Sequence, residues 1–201
     1  MLIGEDWQIM QNFHFTITEF FDDSVDSLID LLERIRPNKI SIDTERPELD
    51  KSGESFVGGN NIKVLARKFE EIYLKLRETD LNFGVGCYMP LCKLEPRVLE
   101  ILLADKKMAF GCHLMNGKSI IMEPNGNFIP CNHMCNIPLA QFGKDILSAE
   151  DYWKFKESEQ CVELLKHMNL APDKRCVDCE LWSICGGSCR LRWMSDVNPL
   201  D

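Results

Sequence analysis

The chain has 201 residues, 45% of them apolar, enough for one sizeable core or one domain with a small appended module, and too apolar for a disordered chain. A formal net charge of −9 opposes a phosphate-tracking surface and argues against DNA or RNA as a partner. The opening residues, MLIGEDWQIMQNFHF, lack a basic start followed by an apolar run, and no stretch approaches the roughly 18 uninterrupted apolar residues of a spanning helix, so the sequence predicts a soluble, cytoplasmic protein without a membrane partner.

Aromatic and β-branched residues predict a strand from Phe13 to Thr18. A helix follows from Ser24, its expected cap, to Ile35, with Leu28, Leu31, Leu32 and Ile35 along one face. After the Pro37-Asn38 break, Lys39 to Asp43 (KISID) predicts a second strand. A Pro-, Glu-, Ser- and Gly-rich loop then leads to a helix from Ile62 to Arg77. Asn82 to Cys87 predicts a third strand, and Pro96 to Ala104 a third helix carrying Val98, Leu99, Ile101 and Leu102. This alternation implies parallel strands with right-handed crossovers. Three units are too few to close an eight-stranded barrel, so residues 1–105 read as part of a larger α/β barrel or sheet, with further units expected upstream.

From Gly111 the character changes. Ser119 to Met122 and Asn127 to Pro130 flank Pro124-Asn125-Gly126, a hairpin signal with Cys112 and Cys131 near its ends. Residues 147–168 read as helical, with Trp153, Phe155, Val162, Leu164 and Leu165 as apolar surface. Then Cys176, Cys179, Cys185 and Cys189 fall in the spacing Cys-x2-Cys-x5-Cys-x3-Cys. Ten cysteines in a reduced compartment argue against disulfides, and loops this short gather thiolates around one point more easily than they meet disulfide geometry. Thiolate is a soft ligand that suits both zinc and iron-sulfur clusters, and spacing alone does not separate them.

Cys112-x13-Gly126-x4-Cys131, a long gap, and the four-cysteine tail with Gly186-Gly187 inside it resemble the SPASM domain of radical S-adenosylmethionine enzymes over residues 111–193. The preceding βα units are similar to the last units of the partial barrel in those enzymes. The resemblance implies an α/β partial barrel fragment over 1–105, made of the C-terminal βα units of a radical S-adenosylmethionine barrel. A small α+β iron-sulfur SPASM domain over 106–201 would follow it. It further implies two auxiliary 4Fe–4S clusters, the first held by Cys112, Cys131 and Cys189 and the second by Cys176, Cys179 and Cys185. Each set is one ligand short. Cys135 would complete one, or an iron would stay open for substrate or an exogenous thiol; where the family supplies an upstream ligand this chain has Lys106 and Lys107.

No Cys-x3-Cys-x2-Cys triplet is present: Cys131-x3-Cys135 is followed by Pro138 at the third position, and Cys87-x4-Cys92 has the wrong spacing. This chain alone is therefore not expected to generate a radical. By resemblance it is the C-terminal portion of a peptide- or protein-modifying oxidoreductase. The parent would cleave S-adenosylmethionine reductively, receive electrons from a donor such as a flavodoxin or ferredoxin, and use the auxiliary clusters for electron transfer or substrate ligation. Two other classes stand beside this one, a zinc-stapled binding module and a stand-alone peptide-recognition partner.

His113 and His133 lie beside proposed ligands and read as coordinating, hydrogen-bonding to ligands, or packing. Asp43, Glu45 and Arg46 follow the KISID strand, at the end of a parallel sheet where ligands bind, and read equally as a solvated loop. Gly58-Gly59-Asn60-Asn61 lacks the following Lys-Ser/Thr of a phosphate loop and reads as a loop. Gly186 and Gly187 let amides approach sulfur or simply make a tight turn, Trp182 and Trp193 read as shields against water, and Cys161 reads as an inert core thiol. His14 and His167 carry no signal.

Overall fold

The computed structural model describes residues 12–20, 24–50, 52, 54–59, 61–109, 112, 114, 120–135, 137–194 and 200. In chain order the elements are β1 (Asn12–Ile17), α1 (Val25–Ile35), β2 (Lys39–Thr44), β3 (Glu48–Leu49), β4 (Phe56–Val57), α2 (Ile62–Arg77), β5 (Phe83–Gly86), α3 (Pro96–Asp105), β6 (Met108–Ala109), β7 (Ile121–Met122), β8 (Asn127–Ile129), β9 (Ala140–Gln141), α4 (Ala149–Lys156), α5 (Glu159–Asn169), α6 (Lys174–Val177) and α7 (Trp182–Cys185). They divide into two compact units. The first draws on residues 1–45, 61–87 and 92–109, and the second on 46–60, 88–91 and 110–201.

The first unit is a parallel sheet in the order β1-β2-β5-β6, each strand beside its successor in the sheet, and it is open. Phe13 pairs with Ile40, and Phe15 with Ile42 and through it Val85, so one face is apolar; the other carries His14, Thr16, Ser41, Asp43, Gly84 and Gly86. β6 is a fourth strand that the sequence did not announce, because two residues after Lys106-Lys107 offer no period to read. α1 packs against α2, and α2 against β1. In α2, Ile62, Leu65, Ala66, Phe69, Ile72, Tyr73 and Leu76 are buried at helical spacing, and Asn61 Oδ1 accepts the Val64 N–H as a cap. Phe69 and Phe83 flank the Tyr73 ring at 5.9 and 5.8 Å.

Two expectations for α1 need correction. Ser24 occupies the cap position but makes no side-chain cap hydrogen bond, and the buried line is Val25, Ile29 and Leu32 while Leu31 faces out. The helix stops because Arg36 turns left-handed, its N–H closing on Leu32 O, one residue before Pro37.

In the second unit the expected loop after β2 contains the antiparallel pair β3–β4, whose two-residue strands are too short for a sequence period. The connection is held by Asp50, whose carboxylate accepts from Ser52, Glu54 and Ser55. The expected hairpin forms as β7–β8, with Gly126 at φ 88 in the turn, and β9 adds a third strand beside β8. The helical stretch expected over 147–168 forms as two helices. Ser148 caps α4, and Ser158 interrupts by accepting the Cys161 N–H as the cap of α5. Phe128 meets the Tyr152 and Phe155 rings at 5.7 and 6.3 Å, whereas Trp153 and Val162 are exposed and supply no core surface.

Candidate metal centre

The cysteine tail folds as a run of short turns rather than as one element. Asp173 caps α6, on which Cys176 lies, and its carboxylate accepts from the Arg175 N–H. The Cys179 N–H reaches Cys176 O at 3.4 Å and the Trp182 N–H reaches Cys179 O at 2.9 Å, so Cys179 sits on the link into α7. Cys185 ends α7, and Gly186 at φ 55 stops it by donating to Trp182 O. Gly187 at φ 77 and Ser188 at φ 68 complete the reversal to Cys189. Two tryptophans brace this turn. Trp193 Nε1 donates to Gly187 O at 2.8 Å, and a Cβ on Gly187 would stand 3.4 Å from the Trp182 ring, so both indoles are fixed beside the thiol loop.

Cys112, Cys131 and Cys189 come from three distant segments and share one apolar cluster with Phe56, Leu114, Met134, Met168 and Leu191. Cys112 is close enough to influence the charge of both Cys131 and Cys189. Burial pushes the Cys189 thiol up to about 11, and burial likewise raises Cys131. Both residues precede a 3₁₀ turn, Cys131 that of Asn132–Met134 and Cys189 that of Arg190–Trp193. The His133 N–H favours the Cys131 thiolate and the Leu191 N–H the Cys189 thiolate, although neither closes as a formed cap hydrogen bond. Burial with inward amides describes a thiol that is neutral when bare and accepts deprotonation once a cation is bound.

Three arginines surround the thiols, and sequence reading had singled out only Arg46, for a different role. Arg46 stacks 4.2 Å from the Tyr88 ring centroid and stabilises charge on Cys131 and Cys189. Arg192, 1% exposed, donates to Tyr88 O at 2.7 Å and to Gly59 O. Arg190, 6% exposed, donates to Met168 O and Leu170 O and lies 5.6 Å from the Trp182 ring centroid. Its charge senses Cys176, Cys185 and Cys112, members of both proposed ligand sets, while burial lowers its pKa. In a chain with nine more acidic than basic side chains, two guanidiniums are buried beside cysteines. The sequence signal was slight, a pair of charges on either side of Leu191.

The other expected residues distribute as follows. Cys135 is exposed at the end of its 3₁₀ turn, and Cys161 is buried in α5. His133 is half-buried; burial first, then Arg46, lowers its pKa, so it is a neutral imidazole at pH 7. Cys87 is half-buried and Cys92 exposed. Asp43 lies 3.6 Å from His14 on the sheet, and Glu45 accepts the Glu19 N–H. His113, Gly111, Ser119 and Asn60 fall outside the described residues. Among the described residues no disulfide forms, and no three His, Cys, Asp or Glu side chains converge closely enough to hold one metal ion. No helix among them is long and apolar enough to cross a membrane. No protein-family model, no curated protein and no solved structure matches this chain.

Proposed function

We propose that this chain is the C-terminal, iron-sulfur-binding portion of a radical S-adenosylmethionine enzyme of the SPASM type that modifies a peptide or protein. The observation that carries the reading is the meeting of Cys112, Cys131 and Cys189 in one apolar cluster, with the buried Arg190 charge acting on thiols of both sets. The donor set fits the group chemically: soft sulfur, shielded from water, beside cations that offset the negative charge a thiolate-ligated centre brings.

When bound, auxiliary 4Fe–4S clusters supply electron transfer or a site for substrate ligation. The chain's own residues do the rest. Cys112, Cys131 and Cys189 would hold the first centre and Cys176, Cys179 and Cys185 the second, with Cys135 as a candidate further ligand. The His133 and Leu191 amides are aimed at sulfur, where they favour the thiolate form. Trp182 and Trp193 restrict water. The unbroken strand order of the first unit supports the barrel-fragment reading, because a strand order without reversal is that of (βα) barrels rather than of doubly wound sheets.

Anaerobic purification tests the proposal. A brown protein containing iron and acid-labile sulfide is expected, and a colourless protein with stoichiometric zinc would turn the reading to a zinc-stapled binding module. A Cys-x3-Cys-x2-Cys triplet in the reading frame upstream of Met1 is expected as well.

A further inference from the structure

Apart from the thiols, one side-chain atom among the described residues is buried without a hydrogen-bond partner, the Ser188 hydroxyl. Ser188 is 7% exposed and stands between Cys185 and Cys189. Its backbone is left-handed at φ 68, and its N–H donates to Cys185 O at 2.7 Å, closing the turn that Gly186 and Gly187 begin. Serine is a poor choice there on two counts. A side chain resists that backbone region, which the two preceding glycines enter freely, and a buried hydroxyl needs an acceptor. A residue with both disadvantages in a thiol loop marks a position whose side chain has a partner the protein alone does not provide.

That partner should accept a hydrogen bond and carry negative charge. Arg190, two residues on, already donates to Met168 O and Leu170 O and has no acceptor to offer. We propose that Ser188 Oγ donates a hydrogen bond to a sulfur of the second inorganic centre, the one Cys185 would help to hold, and thereby makes that centre easier to reduce. The inference rests on the iron-sulfur reading above. A donor aimed at sulfur stabilises the more negative, reduced form over the oxidised one. Ser188 is thus a positioning and tuning residue rather than a ligand.

The test compares the wild-type chain with Ser188→Ala and Ser188→Gly after anaerobic reconstitution with iron and sulfide. Alanine keeps the left-handed strain and glycine relieves it, but both lack the hydroxyl, so a purely structural role would separate the two variants. Both are expected to retain wild-type iron and to be about tenfold harder to reduce, a shift of 59 mV for a one-electron couple in an EPR-monitored titration. One exchangeable proton coupling should also vanish from the ENDOR spectrum of the reduced protein in both. Unchanged potentials with iron retained overturn the inference. Loss of iron in both variants, as deep as in Cys185→Ala, also overturns it and makes the oxygen a ligand. A wild-type chain that takes up zinc and no iron fails the iron-sulfur reading itself, before any variant is compared.

Discussion

Arg192→Met removes a buried guanidinium while keeping much of its apolar bulk. The side chain is 1% exposed and ties the tail to two segments more than a hundred residues away, through Tyr88 O, 104 positions distant, and Gly59 O, 133 positions distant. Each hydrogen bond from a charged donor contributes about 1.5–3 kcal/mol, and methionine would leave both carbonyls buried without that donor. Allowing for partial relaxation, the loss should be about 3–5 kcal/mol, a large share of the roughly 5–15 kcal/mol that keeps a domain folded. Because the chain has two units, a single denaturation midpoint would blur the effect, so amide hydrogen exchange resolved by peptide is the assay. At about 1.4 kcal/mol per tenfold, amides around Phe56–Val57 and Met134 should exchange at least a hundredfold faster, while those of α2 stay unchanged. Arg192→Lys should recover only part of the loss, since an ammonium lacks the fork that spans two acceptors. Exchange within tenfold of wild type in Arg192→Met would refute the reasoning.

Three further outcomes follow from named contacts. Cys179→Ala and Cys185→Ala should each lower bound iron and destabilise the tail, whereas Cys161→Ser, at a buried position of α5 outside both proposed ligand sets, should leave iron content nearly unchanged; equal losses at all three would contradict the ligand assignment. Gly187→Ala should cost about 1–3 kcal/mol, read by thermal denaturation, because a Cβ at φ 77 would stand 3.2 Å from Pro172 Cγ and 3.3 Å from Arg190 Nη1. Asp105 accepts from Tyr73 Oη at 2.6 Å and from Arg77, and the Arg77 hydrogen bond holds its pKa below the usual carboxylate value. Its contribution is present above the unfolded pKa and lost as pH falls through the lower folded one. Asp105→Asn should therefore flatten the acid side of the pH–stability curve of the first unit, and an unaltered curve would count against that role.

Sequence and structure agree best where a long element carries its own period. α2 matches the expected Ile62–Arg77, since seven buried positions recur at helical spacing, and the β7–β8 turn was legible because Pro124-Asn125-Gly126 admits few conformations. Short elements were illegible for the same reason in reverse. β3, β4 and β6 are two residues each, and what makes them strands is a partner across the ladder, which no local pattern encodes. The Ser158 break was readable in principle as a cap, but the apolar spacing on either side of it suggested continuity. Around the cysteines, spacing offered candidate thiols but not their surroundings. Nothing in the local pattern marks Arg190 and Arg192 as buried, and only tertiary contacts carry them inside. Ser188 was invisible because a buried hydroxyl without a partner is a property of the fold rather than of serine.

The central claim is that sulfurs from separate parts of the chain hold inorganic iron-sulfur centres. Mössbauer spectroscopy of the protein prepared without oxygen and loaded with isotopically enriched iron tests it most directly. The account predicts the delocalised mixed-valence doublets of 4Fe–4S clusters, diminished in Cys185→Ala. A spectrum showing only adventitious ferrous or ferric ion, with the same cysteines occupied by zinc, would contradict it.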